Sequence, residues 1–125
     1  MPPPTIHTPM QMGSRRLKNR LVALPVFTGY ANPDGSVSSL LLKHYTALAT
    51  SGVSMVVVAN VAVSPDGVTS RYNLRVDDDR YIPGLKDLAA AIRRQGALAC
   101  IQLNHAGRFA KTDQPLLASS ADASN

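Results

Sequence analysis

The chain has 125 residues, of which 45% are hydrophobic and 17% are charged, with a net charge of +5. This composition excludes a disordered chain and fits one globular domain. The basic residues do not alternate with aromatic residues along a stripe, and the sequence has neither the spacing of a zinc finger nor a basic region followed by heptads. We therefore expect no nucleic-acid partner. The single Cys100 excludes a disulfide framework, and no run is apolar enough to cross a membrane, so we expect a cytoplasmic protein without a membrane partner.

Residues 1–16 read as an N-terminal extension that contains a short hairpin. Segment 10–13 and segment 17–19 flank the turn formers Gly13 and Ser14, and we expect them to pair. The following run, 20–26, is short and apolar and predicts the first strand. Pro25 limits this strand because proline has no N–H to donate to a sheet ladder.

A first helix is predicted after the turn-rich segment 27–37. Ser38 or Ser39 is a suitable N-cap, and Gly52 is a suitable C-terminal stop. The predicted buried face shows helical spacing and comprises Leu41, Tyr45, Leu48 and Gly52. The next run, 55–59, is continuous and rich in valine, which is typical of a strand covered on both faces of a parallel sheet.

A second helix and a third strand follow the turn 64–67 and the polar loop 68–77. Asp78 is a candidate helix cap, and Pro83 is tolerated in a first helical turn. The amphipathic pattern ends before Gly96 and consists of Ile82, Leu85, Leu88, Ala89 and Ile92. Residues 98–103 form the third predicted strand, and 111–125 form an irregular tail.

Strands that alternate with helices indicate an α/β fold with a parallel sheet and right-handed crossovers. Periodicity alone leaves a doubly wound sheet and a barrel as alternatives. The residues after the first strand do not match GxGxxG, and the chain contains no GxxxxGK[ST]. A nucleotide would therefore be held without the usual phosphate-binding loops.

Ligand-binding groups are expected at the carboxyl ends of the strands, where parallel α/β sheets bind their ligands. Thr28, Asn60 and Gln102 stand at or just beyond these ends. An amide both donates and accepts hydrogen bonds, which suits the edge of a heterocycle with adjacent C=O and N–H groups. The histidines are too dispersed for a metal site, and the aspartates 77–79 are expected to cap a helix.

Several motifs occur in the order found in one family. They read LKNRLV at 17–22, NPDG at 32–35, HY at 44–45, VSPDG at 63–67 and IQLNHAGR at 101–108. Together they resemble the Old Yellow Enzyme, or NADH:flavin oxidoreductase, family of FMN-dependent ene-reductases. Their spacing is closest to the dienoyl-CoA reductase branch.

The resemblance implies the first three β/α units of a (β/α)8 TIM barrel, with FMN at the barrel mouth and NAD(P)H as hydride donor. It implies an enone-type substrate with an activated C=C bond. The implied flavin-binding residues are Pro25, Val26, Phe27, Thr28, Asn60 and Gln102. Gln102 would bond the pyrimidine edge and the Thr28 hydroxyl a flavin carbonyl. His105 and Arg108 are expected to order their loop.

A complete barrel needs roughly 250 residues, so the chain is interpreted as the N-terminal portion, residues 1–125, of the flavin-binding domain. We expect it to contain no catalytic residue, to lack the phosphate-binding segments and to be inactive alone. Its open sheet edges would invite self-association or a complementary chain. An assembly or regulatory module that docks onto such a chain is one alternative, and a non-enzymatic small-ligand or nucleic-acid binder is another.

Overall fold

A computed structural model of the protein describes residues 1–113. Its first elements are strands β1 (Met10–Met12) and β2 (Arg15–Leu17), which pair antiparallel. The expected hairpin is therefore confirmed, but its second strand begins two residues earlier than predicted. Gly13 adopts a positive φ of 56°, which closes a two-residue turn and lets pairing resume at Arg15.

The main sheet has three parallel strands, β3 (Val22–Ala23), β4 (Met55–Ala62) and β5 (Leu98–Asn104), in the order β3-β4-β5. Strand β3 is much shorter than the predicted strand at 20–26. The N–H of Arg20 donates to the Ile6 carbonyl at 2.8 Å, and the N–H of Leu21 donates to Asn19 Oδ1 at 3.1 Å. Both groups are thus withdrawn from the ladder, and Pro25 cannot extend it.

Helix α1 (Ser39–Thr50) begins as predicted, with the Ser38 hydroxyl accepting a hydrogen bond from the Leu41 N–H at 3.0 Å. Its buried face consists of Leu41, Tyr45 and Ala49. Gly52 is exposed and turns the chain with a φ of 92°, so its predicted place on the buried face was wrong and its place as a stop was right.

Helix α2 (Ile82–Arg94) follows a 3₁₀ turn at Asp79–Tyr81. Asp78 caps this turn, accepting a hydrogen bond from the Arg80 N–H at 2.9 Å, instead of capping α2 directly. The 3₁₀ turn leads into α2, whose first turn holds Pro83 as predicted.

The hydrophobic core lies between the two helices and one face of the sheet. It is built from Leu41, Tyr45, Ala49, Val56, Val58, Val61, Leu88, Ile92 and Ala97, together with Ala31 and Leu74 from the loops. Because side chains alternate along a strand, Met55 and Val57 of β4 and Cys100 and Gln102 of β5 lie on the other face. The helices leave that face uncovered. The predicted tail falls largely at 114–125, outside the described residues.

Candidate functional site

The carboxyl ends of the three parallel strands meet at one edge of the sheet. Segment 25–28 follows β3, Asn60 lies near the end of β4, and Gln102 lies near the end of β5. The structure brings Asn60 and Gln102 into direct contact, since the Asn60 N–H donates to Gln102 Oε1 at 3.2 Å. No hydrogen bond within residues 1–113 joins segment 25–28 to either amide.

Strand β4 contains a bulge at this edge. The register pairs Val58 with Ile101 and Val61 with Leu103, so two residues of β4, Ala59 and Asn60, lie opposite Gln102 alone. Asn60 has a φ of 54° and is the one non-glycine residue with positive φ in the described part of the chain. Asparagine is among the few side chains that accept this left-handed conformation, which explains how the strand continues past its predicted end at Ala59.

Side chains from both layers hold the bulge. The Ala59 N–H donates to the Tyr45 hydroxyl oxygen at 2.8 Å, and the Asn60 N–H donates to Gln102 as described. Tyr45 is only 2% exposed, and burial raises the pKa of its hydroxyl, so the phenol stays neutral. Sequence reasoning treated Tyr45 as an ordinary core residue, and helical spacing contains no signal for this second role.

Two further residues of the bulge network were missed by sequence reasoning. Asn73 and Thr69 lie in the loop between β4 and α2, which the sequence marks only as polar. The Asn73 amide donates to the Asn60 carbonyl, and the Asn60 side-chain amide donates to Thr69 Oγ1 at 3.2 Å. Asn60 is thereby fixed through its N–H, its C=O and its side chain.

The network leaves a hydrogen-bond donor free at the edge. With Gln102 Oε1 engaged by Asn60, the Gln102 Nε2 group has no partner within residues 1–113, and the Gln102 side chain is exposed. Thr28 Oγ1 accepts a hydrogen bond from the Tyr30 N–H at 3.3 Å, which leaves its own O–H available. The edge can therefore donate to an acceptor-rich ligand.

Segment 25–28 adds apolar surface at the carboxyl end of β3. Val26 and Phe27 are 67% and 45% exposed, unusually open for large apolar side chains. Val26 and Thr28 also line an open cavity of about 360 Å³ on the helix-covered side of the sheet, together with His44, Tyr45 and Leu48 of α1. The exposed side chains of Val26 and Phe27 offer apolar contact to an aromatic ligand at this end of β3.

The loops that follow β4 and β5 are tied to each other. The Ala106 N–H donates to the Gly67 carbonyl at 2.9 Å, and the Lys111 N–H donates to the Val68 carbonyl at 2.7 Å. His105 accepts a hydrogen bond from the Gly107 N–H through Nδ1 at 3.0 Å and approaches Asp66 Oδ1 through Nε2 at 3.7 Å. These contacts agree with the expectation that His105 orders its loop.

Asp66 and Gly67 both lie against His105, where the loop after β4 meets the loop after β5. The pKa of the Asp66 carboxyl is lowered, mainly by the Ser64 hydroxyl and to a smaller degree by His105. A Cβ atom on Gly67 would lie 2.6 Å from the His105 ring, so a larger residue at this position would force the ring or the loops to shift.

Residues 1–113 contain neither a membrane-spanning helix nor a metal-binding cluster. None of their helices is long and apolar enough to span a bilayer. No group of three or more His, Cys, Asp or Glu side chains among them is arranged to hold a metal ion.

The chain is similar in sequence to flavin-dependent oxidoreductases. The sequence model of the NADH:flavin oxidoreductase / NADH oxidase family matches residues 5–124. An NADH oxidase of Thermoanaerobacter brockii is 40% identical over 106 residues, which are 84% of this chain and 16% of that protein. An NADPH dehydrogenase of Halalkalibacterium halodurans is 39% identical over 106 residues, which are 84% of this chain and 31% of that protein.

The solved structure of the old yellow enzyme from Trypanosoma cruzi superposes with a TM-score of 0.80 at 26% identity, covering 94% of this chain and 35% of that one. This likeness confirms the barrel interpretation over a doubly wound sheet, with the chain corresponding to part of the barrel. The chain spans 16–31% of the length of the two curated relatives. Because the family match covers nearly every residue, the chain belongs to the NADH:flavin oxidoreductase / NADH oxidase family, which uses FMN as cofactor and NAD(P)H as hydride donor.

Proposed function

We propose that this chain forms one wall of the FMN site in an NAD(P)H-dependent oxidoreductase that reduces activated C=C bonds, such as those of enones. The observation that supports the proposal most is the Gln102 amide, whose Oε1 is held by the Asn60 N–H at 3.2 Å while its Nε2 is free to donate. A flavin carries carbonyl acceptors on its pyrimidine edge, so this donor and the Thr28 hydroxyl fit it.

Each wall residue has a distinct part in this proposal. Gln102 and Thr28 donate hydrogen bonds to the ring carbonyls, while Val26 and Phe27 provide apolar contact with the ring. Asn60 brings the backbone close to the ring by means of its left-handed conformation. Pro25 has no N–H and directs segment 25–28 away from the ladder.

FMN held by Gln102 and Thr28 would supply the hydride-transfer chemistry between NAD(P)H and an alkene. The contribution of this chain is electrostatic and steric, since donors aimed at ring carbonyls stabilise negative charge on the reduced ring. Within residues 1–113 we assign no side chain the task of protonating or activating the substrate.

We also propose that the 125-residue polypeptide is an N-terminal fragment of such a barrel and does not turn over alone. Within residues 1–113 its main sheet has three strands, whereas a closed barrel has eight. Ile101 and Leu103 of β5 are 39% and 61% exposed, and an open cavity of about 170 Å³ lies between α2 and β5. A cytoplasmic setting accords with the free thiol of Cys100.

The same open surface supports a second candidate function, a module that completes or regulates a complementary barrel chain. Apolar side chains from α2, β4 and β5 line the cavity, which is the kind of surface that a further β/α unit would cover. Self-association through the β3 and β5 edges is the simplest competing behaviour. Sedimentation of the chain over a range of concentrations separates a monomer from a self-associated form.

A flavin titration tests the proposed wall. FMN fluorescence quenching and the visible absorption spectrum are measured against the 125-residue chain, against Gln102→Leu and against Gln95→Leu. Gln95 is an exposed residue at the C-terminus of α2 and provides a matched substitution away from the site. We expect Gln102→Leu to weaken FMN binding about tenfold, as the loss of one hydrogen bond does, and Gln95→Leu to bind like the wild type.

The wall assignment is wrong if Gln102→Leu retains the wild-type affinity. Turnover of an enone is assayed in parallel with NADH and with NADPH at saturating FMN. We expect no activity above the flavin-only background. A rate typical of a complete enzyme would overturn the proposal that the chain is inactive alone.

A further inference from the structure

Asn73 is the most thoroughly buried amide side chain among residues 1–113, at 1% exposure. Its Oδ1 accepts hydrogen bonds from the Thr69 N–H at 3.0 Å and the Thr69 hydroxyl at 2.6 Å. Its Nδ2 donates to the carbonyls of Asn60 and of Leu74, the latter at 3.3 Å. Since both ends of the amide are engaged, its orientation is fixed.

This fixed amide acts on the bulge in β4. Asn60 holds a left-handed backbone that a non-glycine residue keeps only where its surroundings enforce it. Asn73 binds the Asn60 carbonyl, and Thr69, itself bound to Asn73, accepts a hydrogen bond from the Asn60 side chain at 3.2 Å. Release of these contacts would let Asn60 rotate and turn its N–H away from β5.

Gln102 depends on that N–H for its own orientation. The terminal torsion of a glutamine side chain is broad and is not fixed by rotamer preference alone. Within the described residues, the contact from the Asn60 N–H to Oε1 is the one hydrogen bond that the Gln102 side chain makes. The direction in which Nε2 points therefore follows from the conformation of Asn60.

We infer that Asn73 is a positioning residue: through Asn60 it aims the Gln102 amide at the ring edge without touching the ligand. The identity of that ligand as FMN rests on the proposed function. The chain of contacts from Asn73 to Asn60 to Gln102 is independent of it.

The test uses the ¹⁵N-labelled 125-residue chain without flavin. In Asn73→Asp, the acceptor toward Thr69 is kept, but an oxygen replaces the nitrogen that donates to the Asn60 carbonyl. We expect the Asn60 backbone amide to exchange with solvent about tenfold faster, as expected for one lost hydrogen bond. We also expect the two side-chain amide protons of Gln102 to shift toward the positions of a freely rotating glutamine.

Asn32→Asp is the matched control. Asn32 lies in the loop before α1, and its amide likewise donates within a loop, to Ser36 Oγ at 2.9 Å and the Val37 carbonyl at 3.3 Å. Its hydrogen bonds do not join it to Asn60 or Gln102, so we expect both signals to stay at their wild-type positions. Should Asn73→Asp fail to fold, Thr69→Val removes the hydroxyl that joins Asn73 to Asn60, and we expect changes in the same direction.

Unchanged Asn60 exchange and unchanged Gln102 signals in a folded Asn73→Asp or Thr69→Val chain overturn the positioning role, whatever the ligand. If these signals change while Gln102→Leu leaves FMN affinity intact, positioning is supported and the flavin assignment fails. If both proposals hold, Asn73→Asp weakens FMN binding, and the double variant with Gln102→Leu binds no more weakly than Gln102→Leu alone.

Discussion

Strands β4 and β5 are neighbours of similar length and apolar content, yet their side chains differ sharply in burial. In β4, Val56 and Val61 are fully buried, while in β5 Ile101 and Leu103 are 39% and 61% exposed. Strand β4 has β3 and β5 on its two sides and both helices over one face. Within residues 1–113, β5 has a strand partner on one side alone.

The difference shows that burial in a sheet follows from neighbours and not from the strand's own sequence. Strand β4 gains a further partner at its carboxyl end, where the Ala62 N–H donates to the Leu74 carbonyl at 2.8 Å and the Val76 N–H donates to the Ala62 carbonyl at 3.0 Å. We therefore expect β4 to determine the stability of the chain, while β5 presents Gln102 for binding.

The largest effect is expected from Val56→Ala in β4. Removing two buried methyl groups and leaving a cavity should lower the free energy of unfolding by about 2 kcal/mol. Leu103→Ala in β5 should lower it by about 0.5 kcal/mol or less, because that side chain is exposed. Urea denaturation of both variants measures the two values. Equal losses of unfolding free energy in the two variants would show that the Leu103 side chain is buried in solution. Repeating the denaturation at a lower protein concentration would show whether a second copy of the chain buries it.

Tyr45→Phe should have the next largest effect. It leaves the buried Ala59 N–H without its acceptor, which should cost about 1.5 kcal/mol of unfolding free energy and accelerate exchange of the Ala59 amide. Tyr72→Phe, at a ring that is 41% exposed, is the control and should change neither quantity. Wild-type exchange of the Ala59 amide in Tyr45→Phe would mean that the bulge holds without α1.

Gly67→Ala tests the link between the loops that follow the two strands. The added methyl would meet the His105 ring, so we expect the ring and its loop to shift away from Gly67, at a cost of about 1 kcal/mol. The wild-type chain is the reference. Gly52→Ala is not a matched control, because Gly52 has a positive φ and alanine there would be strained for a different reason. Nuclear magnetic resonance shifts confined to segments 64–68 and 105–111 would confirm local separation, and an undisturbed His105 signal would contradict it.

The smallest effect is expected from the ion pair beyond β4. Arg75 binds Asp77 through two hydrogen bonds of 2.8 and 2.6 Å, and this contact lowers the pKa of the Asp77 carboxyl below its usual 3.8. A lowered pKa in the folded state adds stability above pH 3.8 that is lost as the pH falls through the lowered value. Asp77→Asn should therefore cost about 0.5 kcal/mol near neutral pH.

Urea denaturation at neutral pH and at a pH below the Asp77 pKa checks this sign. The difference between wild type and Asp77→Asn should shrink in acid. Asp113→Asn, at an exposed aspartate near the end of the described residues, serves as the control. A difference that grows in acid would mean that the ion pair does not stabilise the fold.

The sequence predicted the order of the elements well because each depends on a local signal. The Ser38 cap, the valine run of β4 and the periodicity of α2 are all contained in short windows. The Gln102 position at a strand end followed from the same reasoning. The early end assigned to β4 at Ala59 was wrong because a bulge needs partners from other elements, and Asn60 alone resembles a strand terminator.

The positioning network could not be predicted for a related reason. Asn73 and Thr69 lie in a loop whose composition indicates only polarity, and Tyr45 has the spacing of a core residue. Their roles depend on contacts across 13 to 14 positions of the chain, such as those from Asn73 to Asn60 and from Ala59 to Tyr45. No periodic pattern encodes such contacts.

The extra residue in β4 also determines what a one-residue deletion at the bulge would do. It changes the phase of the strand, so that Val56, Val58 and Val61 all point to the helices although the last interval is odd. Loss of one codon for Ala59 or Asn60 would restore a regular ladder and at the same time misalign Gln102. If Gln102 binds the flavin as proposed, we expect a deletion that makes the ladder regular to weaken flavin binding at the same time.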